Sequence, residues 1–387
     1  MKTVLHQAGR ISLPLARFWR MTCQSVLALL CFSAALPLLH AANDAPGPLR
    51  LLVYERTISK ELAEEFTQKT GIPLQIKAVT SATEAARVIY TEKQPFDLLL
   101  NSGDVIHSLL DNGKLIPIDR KTYPTLGKAI KPQWNKAAND PSGNFLIPLD
   151  VAAMGILVNK NITQPAIVGY MSAFRKTRPG GVAVFVDQRD LLAATLLSLG
   201  ASVNKLSPEN LKAASIVLKS WMPNTSPDSQ GIWNPPKHVE TSTYIHDGIL
   251  QGRYAAALLY SGDASIIMRQ RPGQFDWINP TEGGLKYITV FAIPQTCERP
   301  AAAHKFIDFM LQPERVRYLV DNAPGLPLSD SVDTGLPLDF YGNPATLSSK
   351  DLLDEFTIQK DISHEPLADV KALFDSLPAP AASTKQP

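Results

Sequence analysis

From Leu49 onward the sequence alternates short apolar runs with amphipathic stretches of helical spacing. That alternation constrains the protein to a sheet covered by helices. LRLLVY (Leu49 to Tyr54) predicts a buried strand. SKELAEEFTQKTG (Ser59 to Gly71) predicts an amphipathic helix stopped by glycine. IPLQIKAV is the next strand, Thr83 to Lys93 the next helix, and FDLLLNS with GDVIHSLLDNG repeats the unit. Such a pattern predicts a mostly parallel sheet in an α/β fold.

One segment breaks the rhythm. FLIPLDVAAMGILVNK (Phe145 to Lys160) is long, apolar and extended in character, and it reads as a crossing from one lobe to another. A second α/β unit follows from about Gly181 to Tyr260, and YITVFAIP (Tyr287 to Pro294) reads as a strand returning to the first lobe. A helical pair broken at Pro313 comes next, and the Pro/Ala-rich end, residues 377–387, is expected to be disordered. No internal repeat is visible.

The 387 residues suffice for two domains with their own cores, and 45% hydrophobic against 19% charged content marks a globular protein. The first 42 residues hold Lys2, Arg10, Arg17 and Arg20 and no acid. Without those four, 34 basic and 36 acidic side chains remain, a net of −2 that gives no reason to expect nucleic acid. The same residues 1–42 carry the order of an export signal: a basic region, the apolar MTCQSVLALLCFSAALPLL, then Ala41 and Ala42. The expectation is a cleaved signal peptide and a periplasmic protein; the alternative is a retained anchor. Cys23 and Cys31 lie within it, so Cys297 is left alone and the mature protein forms no internal disulfide.

The motifs of common enzyme chemistry are missing. There is no Walker loop, no GxGxxG after a strand and no GxSxG elbow. The histidines have no metal-ligand spacing, and His107, on a helical pattern, reads as a surface residue. The expectation is a protein without catalysis, metal or cofactor.

The most suggestive polar signal is VFVDQRDLLAATLLSLG (Val184 to Gly200). Asp187 and Asp190 stand three apart, where an apolar strand hands over to a helix. Asp at a helix start caps free N–H groups and faces the positive end of the dipole. Carboxylates at strand ends of an α/β sheet also stand where ligands collect, and there they would hold a cation. Both roles are compatible, since a carboxylate has more acceptor sites than a cap uses.

From about Leu49 to Leu326 the sequence resembles the bacterial polyamine-binding proteins, the periplasmic spermidine/putrescine receptors of ABC importers. The resemblance is carried, in order, by LAEEFTQKTGIPLQI, FDLLLNSGDVIHSLLDNGKLIPID, IPLDVAAMGILVNK, VFVDQRDLL, LLYSGDASIIMRQ and NPTEGG with YITVFAIP. It implies a two-lobe periplasmic-binding-protein fold of type II, each lobe a sheet with helices on both sides, with a ligand cleft at a hinge. It places Asp187 and Asp190 on the family's acidic pair, the second shortened from Glu, and Ser102 on a strand-end serine. Asp104 stands at a position usually aromatic, Tyr260 and Tyr287 replace pocket tryptophans, and Asp263 matches an acid of putrescine-type members. Thr57 belongs to the same cleft segment as Arg56.

Departures from the family are as informative. Arg56 in VYERT stands where the family has Trp, Thr289 in YIT where it has an amine-anchoring Asp, and Asp150 at a crossing position normally apolar. Arg56 either serves as a wall pinned by Asp104 or Asp150, or faces a ligand that carries an acid as well as an amine.

The resulting expectation has four parts: a signal over 1–42, lobe 1 from 48–150 plus 288–325, lobe 2 from 151–287 plus 326–376, and the tail 377–387. The expected function is capture of a polyamine or similar small amine for an inner-membrane ABC permease. The alternative is a periplasmic sensor subunit docking on a membrane signalling protein, such as a cyclic-di-GMP enzyme. The expected ligand site is Arg56, Thr57, Ser102, Asp104, Asp187, Asp190, Tyr260, Asp263, Tyr287 and Thr289, in a monomer.

Overall fold

The computed structural model describes residues 44–123, 125, 132–162, 166–175, 178–229, 241–322, 325–328, 336, 338–346, 356–360 and 367–378. The expected signal peptide, His238, His364 and all of the expected tail beyond Pro378 lie outside the described residues.

Among the described residues, ten strands form one sheet: β1 (Leu49–Tyr54), β2 (Leu74–Val79), β3 (Leu98–Ser102), β4 (Leu146–Asn159), β5 (Val182–Val184), β6 (Ala256–Tyr260), β7 (Phe275–Ile278), β8 (Gly284–Ala292), β9 (Leu326–Pro327) and β10 (Phe356–Ile358). The order is β2, β1, β3, β8, β4, β6, β5, with β10 on β8 and both β7 and β9 on β4. The mostly parallel sheet expected from the sequence is corrected. β1–β2, β1–β3 and β5–β6 run parallel, but β8 is antiparallel to β3 and β4, and β6 is antiparallel to β4. The outer strand pairs follow the βα rule; the central strands are joined by long returns instead, which permit antiparallel pairing.

The separate sheet expected for each lobe is corrected by the long strands. β4 is buried along all 14 residues, so it remains a strand from one core into the next. Leu146, Ile147, Leu149, Val151 and Ala153 pack into a first core with Phe66, Phe306 and Phe309. Met154, Ile156 and Val158 pack into a second with Val184, Leu192 and Trp221. Leu157, one residue out of phase, points to the opposite face, where Ile267 and Phe275 cover it. β8 makes the same passage, with Val290 in the first core and Leu285 in the second. Its register with β4 shifts between Pro148 and Asp150. Proline has no N–H for the ladder, and the shift lies within the first-core stretch of β4, before the passage at Ala153 and Met154.

Local chemistry sets the helix ends. Ser59 caps the helix Lys60–Thr70 through the Leu62 N–H, and Gly71 ends it with a left-handed φ of 74°. The stretch read as one helix to Lys93 is a short α-helix, Ala82–Ala86, followed by a π-helical turn, Arg87–Glu92. The residues that follow β9 are shared between cores: Phe356 packs in the first, while Val370, Phe374 and Leu377 pack in the second. Leu377 is therefore a core residue, and the disordered segment expected from 377 does not begin there. His107 is also buried, its Nε2 3.1 Å from the Ala138 carbonyl, because its helical face turns inward.

Candidate functional site

Three strands end at helix starts around one cavity. β3 leads into the helix Gly103–Asp111, β6 into Ser261–Gln270, and β5 ends shortly before Gln188–Ser198. Strand ends and helix N-termini converge in this way at ligand sites of α/β sheets. The cavity measures about 180 Å³ and is lined by Arg56, Ser102, Asp190, Tyr260, Asp263, Tyr287 and Thr289 among the sequence-expected residues. Tyr54, Glu55, Val79 to Ala82, Asp150, Ala152 and Phe185 complete the wall. Thr57, Asp104 and Asp187 do not line it.

Asp190 is the centre of one wall. Its Oδ1 accepts from the Tyr287 hydroxyl at 2.8 Å and from Gln359 Nε2 at 3.3 Å, and its Oδ2 accepts from the Tyr260 hydroxyl. The two tyrosine rings meet edge to face, 5.4 Å apart at 87°. Burial pushes the Asp190 carboxyl well above the ordinary range, the neighbouring Asp187 adds to the rise, and the tyrosine hydroxyls and the nearby Arg189 charge only partly oppose it. No hydrogen bond or ion pair from a Lys or Arg reaches Asp190 among the described residues.

Asp187 is a cap. Its Oδ1 accepts the Asp190 N–H at 2.9 Å, and its Oδ2 stands 3.5 Å from Thr83 Oγ1. Of the two readings of the acid pair, capping describes Asp187, and Asp190 is the carboxylate that reaches the cavity.

Asp104 is drawn away from the cavity by Arg189, which carries no local sequence signal. Arg189, between the two acids, donates to Asp104 Oδ2 at 2.7 Å, to Gln359 Oε1 and to the Lys360 carbonyl at 2.7 Å. Both side chains of the ion pair are 5% exposed. Asp104 sits on a helix of the first core and Arg189 on a helix of the second, so the pair ties the two sides together.

A second tie crosses the cavity itself. Arg56 follows β1 with a left-handed φ of 67°, rare for a side chain of this size. The Tyr318 hydroxyl supports the turn, accepting from the Ser59 N–H at 2.9 Å and donating to the Arg56 carbonyl at 3.4 Å. Arg56 Nη2 then donates to Asp263 Oδ1 at 3.0 Å, and His246 Nε2 stands 3.0 Å from the same oxygen. Neither Asp104 nor Asp150, the partners expected for Arg56, takes this bond. Burial would raise Asp263, but the Arg56 charge and the His246 hydrogen bond outweigh it and hold the carboxyl at about 2. Tyr54 and Ser102, both in the cavity wall, share a 2.8 Å hydrogen bond.

Asp150, opposite Thr289 in the β4–β8 ladder, is pushed up to about 6 by burial, against the opposing pull of its hydrogen bond to Thr289. The fold thus favours its proton. That contribution to stability is complete below the unfolded value near pH 4 and is lost as pH rises through about 6. Asp150→Asn is expected to stabilise the ligand-free protein at pH 8 by on the order of 2 kcal/mol and to leave it unchanged at pH 4. Melting curves at the two pH values check this; a variant that gains nothing at pH 8 contradicts it.

Chemically, the lining offers carboxylates, hydroxyls and aromatic faces, which suit an organic cation. No group of three or more metal-ligating side chains occurs among the described residues. Gln359 is a site contact with no local sequence signal, since it stands 169 residues from the acid it meets.

The protein is similar to known proteins over most of its length. The protein is 24% identical over 330 residues to the spermidine/putrescine-binding periplasmic protein 1 of Haemophilus influenzae, covering 83% of this chain and 86% of that one. It is 25% identical over 298 residues to the spermidine/putrescine-binding periplasmic protein of Escherichia coli, covering 75% and 80%. Among solved structures, the spermidine/putrescine ABC transporter substrate-binding protein PotD of Streptococcus pneumoniae superposes with a TM-score of 0.61 at 22% identity, over 85% of this chain and 98% of that one. The Tp0655 (TpPotD) lipoprotein of Treponema pallidum gives 0.67 at 20% identity, over 84% and 98%. The two-lobe periplasmic-binding-protein fold expected from the sequence is the fold of these neighbours. A sequence profile described as bacterial extracellular solute-binding protein matches residues 61–368, and this protein belongs to that family.

Proposed function

We propose that this protein captures a polyamine or similar small amine in the periplasm and delivers it to an ABC permease in the inner membrane. The observation that carries the reading is Asp190: a buried carboxylate facing a cavity, flanked by two tyrosines, with no Lys or Arg bonded to it among the described residues. An ammonium group supplies a cation bonded directly to this carboxylate, and the tyrosine faces pack along its methylenes. The periplasmic, polyamine-binding names of the relatives support the same reading. No helix among the described residues is long and apolar enough to cross a membrane.

Gently purified protein is expected to release a small amine on denaturation, identified by mass spectrometry, and to bind amines in titration calorimetry. Release of a ligand with no amino group, together with no heat on titration with amines, overturns the proposal.

A further inference from the structure

The cavity has two unlike ends. At one, Asp190 takes hydrogen bonds from tyrosine hydroxyls and is bonded to no Lys or Arg among the described residues. At the other, Asp263 already holds Arg56 and His246, both on the same oxygen. The acid there is occupied before any ligand arrives.

Arg56 itself is only partly used. Its side chain is 31% exposed, it lines the cavity, and among the described residues Nη2 to Asp263 is its one side-chain hydrogen bond. A guanidinium has five N–H donors and no acceptor. The remaining donors have no described partner. The left-handed backbone of Arg56 is held by the Tyr318 hydroxyl and leaves the side chain at the cavity.

Resting on the amine-capture reading, we propose that Arg56 selects ligands with a single ammonium group. The ammonium lies at Asp190, and the far end carries an amide or carboxylate oxygen that accepts from the guanidinium. A diamine of similar length would place its second ammonium against Arg56, where a low dielectric strengthens the repulsion. Two other acids line the cavity. Asp150 stands on β4 opposite Thr289. Asp150 and Glu55 are the competing anchors for a second ammonium, and binding of a diamine against its single-ammonium analogues decides their role.

The test is calorimetry on the mature protein with putrescine, N-acetylputrescine and 4-aminobutanoate. Wild type is expected to bind at least one of the latter two about tenfold or more tightly than putrescine. Arg56→Met should lose that preference. Because it strands Asp263, the double variant Arg56→Met with Asp263→Asn, which removes both charges, should lose it as well. Putrescine bound most tightly by wild type, or a preference unchanged in both variants, overturns the role of Arg56 and leaves amine capture standing. No binding of any of the three overturns the role of Arg56, and amine capture falls only if the released ligand also carries no amino group and no amine gives heat.

Discussion

Asp190→Asn is expected to weaken binding of an ammonium ligand by roughly 10- to 150-fold. A hydrogen bond assisted by charge contributes about 1.5–3 kcal/mol, and 1.4 kcal/mol is a factor of ten. The ligand-free protein should not lose stability. Burial holds the Asp190 carboxyl well above its ordinary range, so the fold favours the neutral form, which asparagine imitates. The sign follows from linkage. The contribution of this group is complete below the ordinary carboxylate pKa and declines as pH rises through the raised value, so the variant gains relative to wild type at high pH. Ligand binding runs the other way: an ammonium must displace the proton, so wild-type affinity falls as pH drops below the raised value, and the variant's affinity stays flat. Calorimetry from pH 5 to 8 with parallel melting curves separates these effects. Normal ligand affinity in Asp190→Asn would remove Asp190 from the site.

Arg189→Met is expected to destabilise the protein by about 3–5 kcal/mol, the cost typical of stranding one partner of a buried ion pair. Asp104 would remain 5% exposed with its guanidinium gone. The intact pair is not thereby a large net stabiliser, because desolvation of both charges offsets their attraction. Hence Arg189→Met combined with Asp104→Leu should recover much of the loss. Urea unfolding of the two single variants and the double variant measures the coupling. A single variant within 1 kcal/mol of wild type, or strictly additive losses, would show that the pair is not the tie it looks like.

These two residues mark the boundary of what could be read from the sequence. Asp187 and Asp190 were legible because a helix cap is local: the acceptor and the N–H it satisfies lie three residues apart. The strand ends at Ser102 and Tyr260 were legible for the same reason, since each apolar run stops where helical spacing begins. Seven of the ten expected site residues line the cavity, and their types came from the resemblance to a family of amine receptors.

The remainder depended on which distant surfaces meet. Nothing local distinguishes Arg189 from a solvated helix residue, because its partner Asp104 lies 85 residues away and Gln359 lies 170. Asp104 reads as a pocket residue in the sequence, since only the packed helices reveal that Arg189 claims it. The antiparallel centre of the sheet was equally hidden: an apolar run specifies a buried strand but not the direction of its neighbours. Strands, caps and acid-bearing turns are readable in the sequence because periodicity and cap hydrogen bonds act over a few residues. Which carboxylate faces the cavity and which is neutralised by an arginine emerges only from the packed fold, because charges are paired in space and not along the sequence.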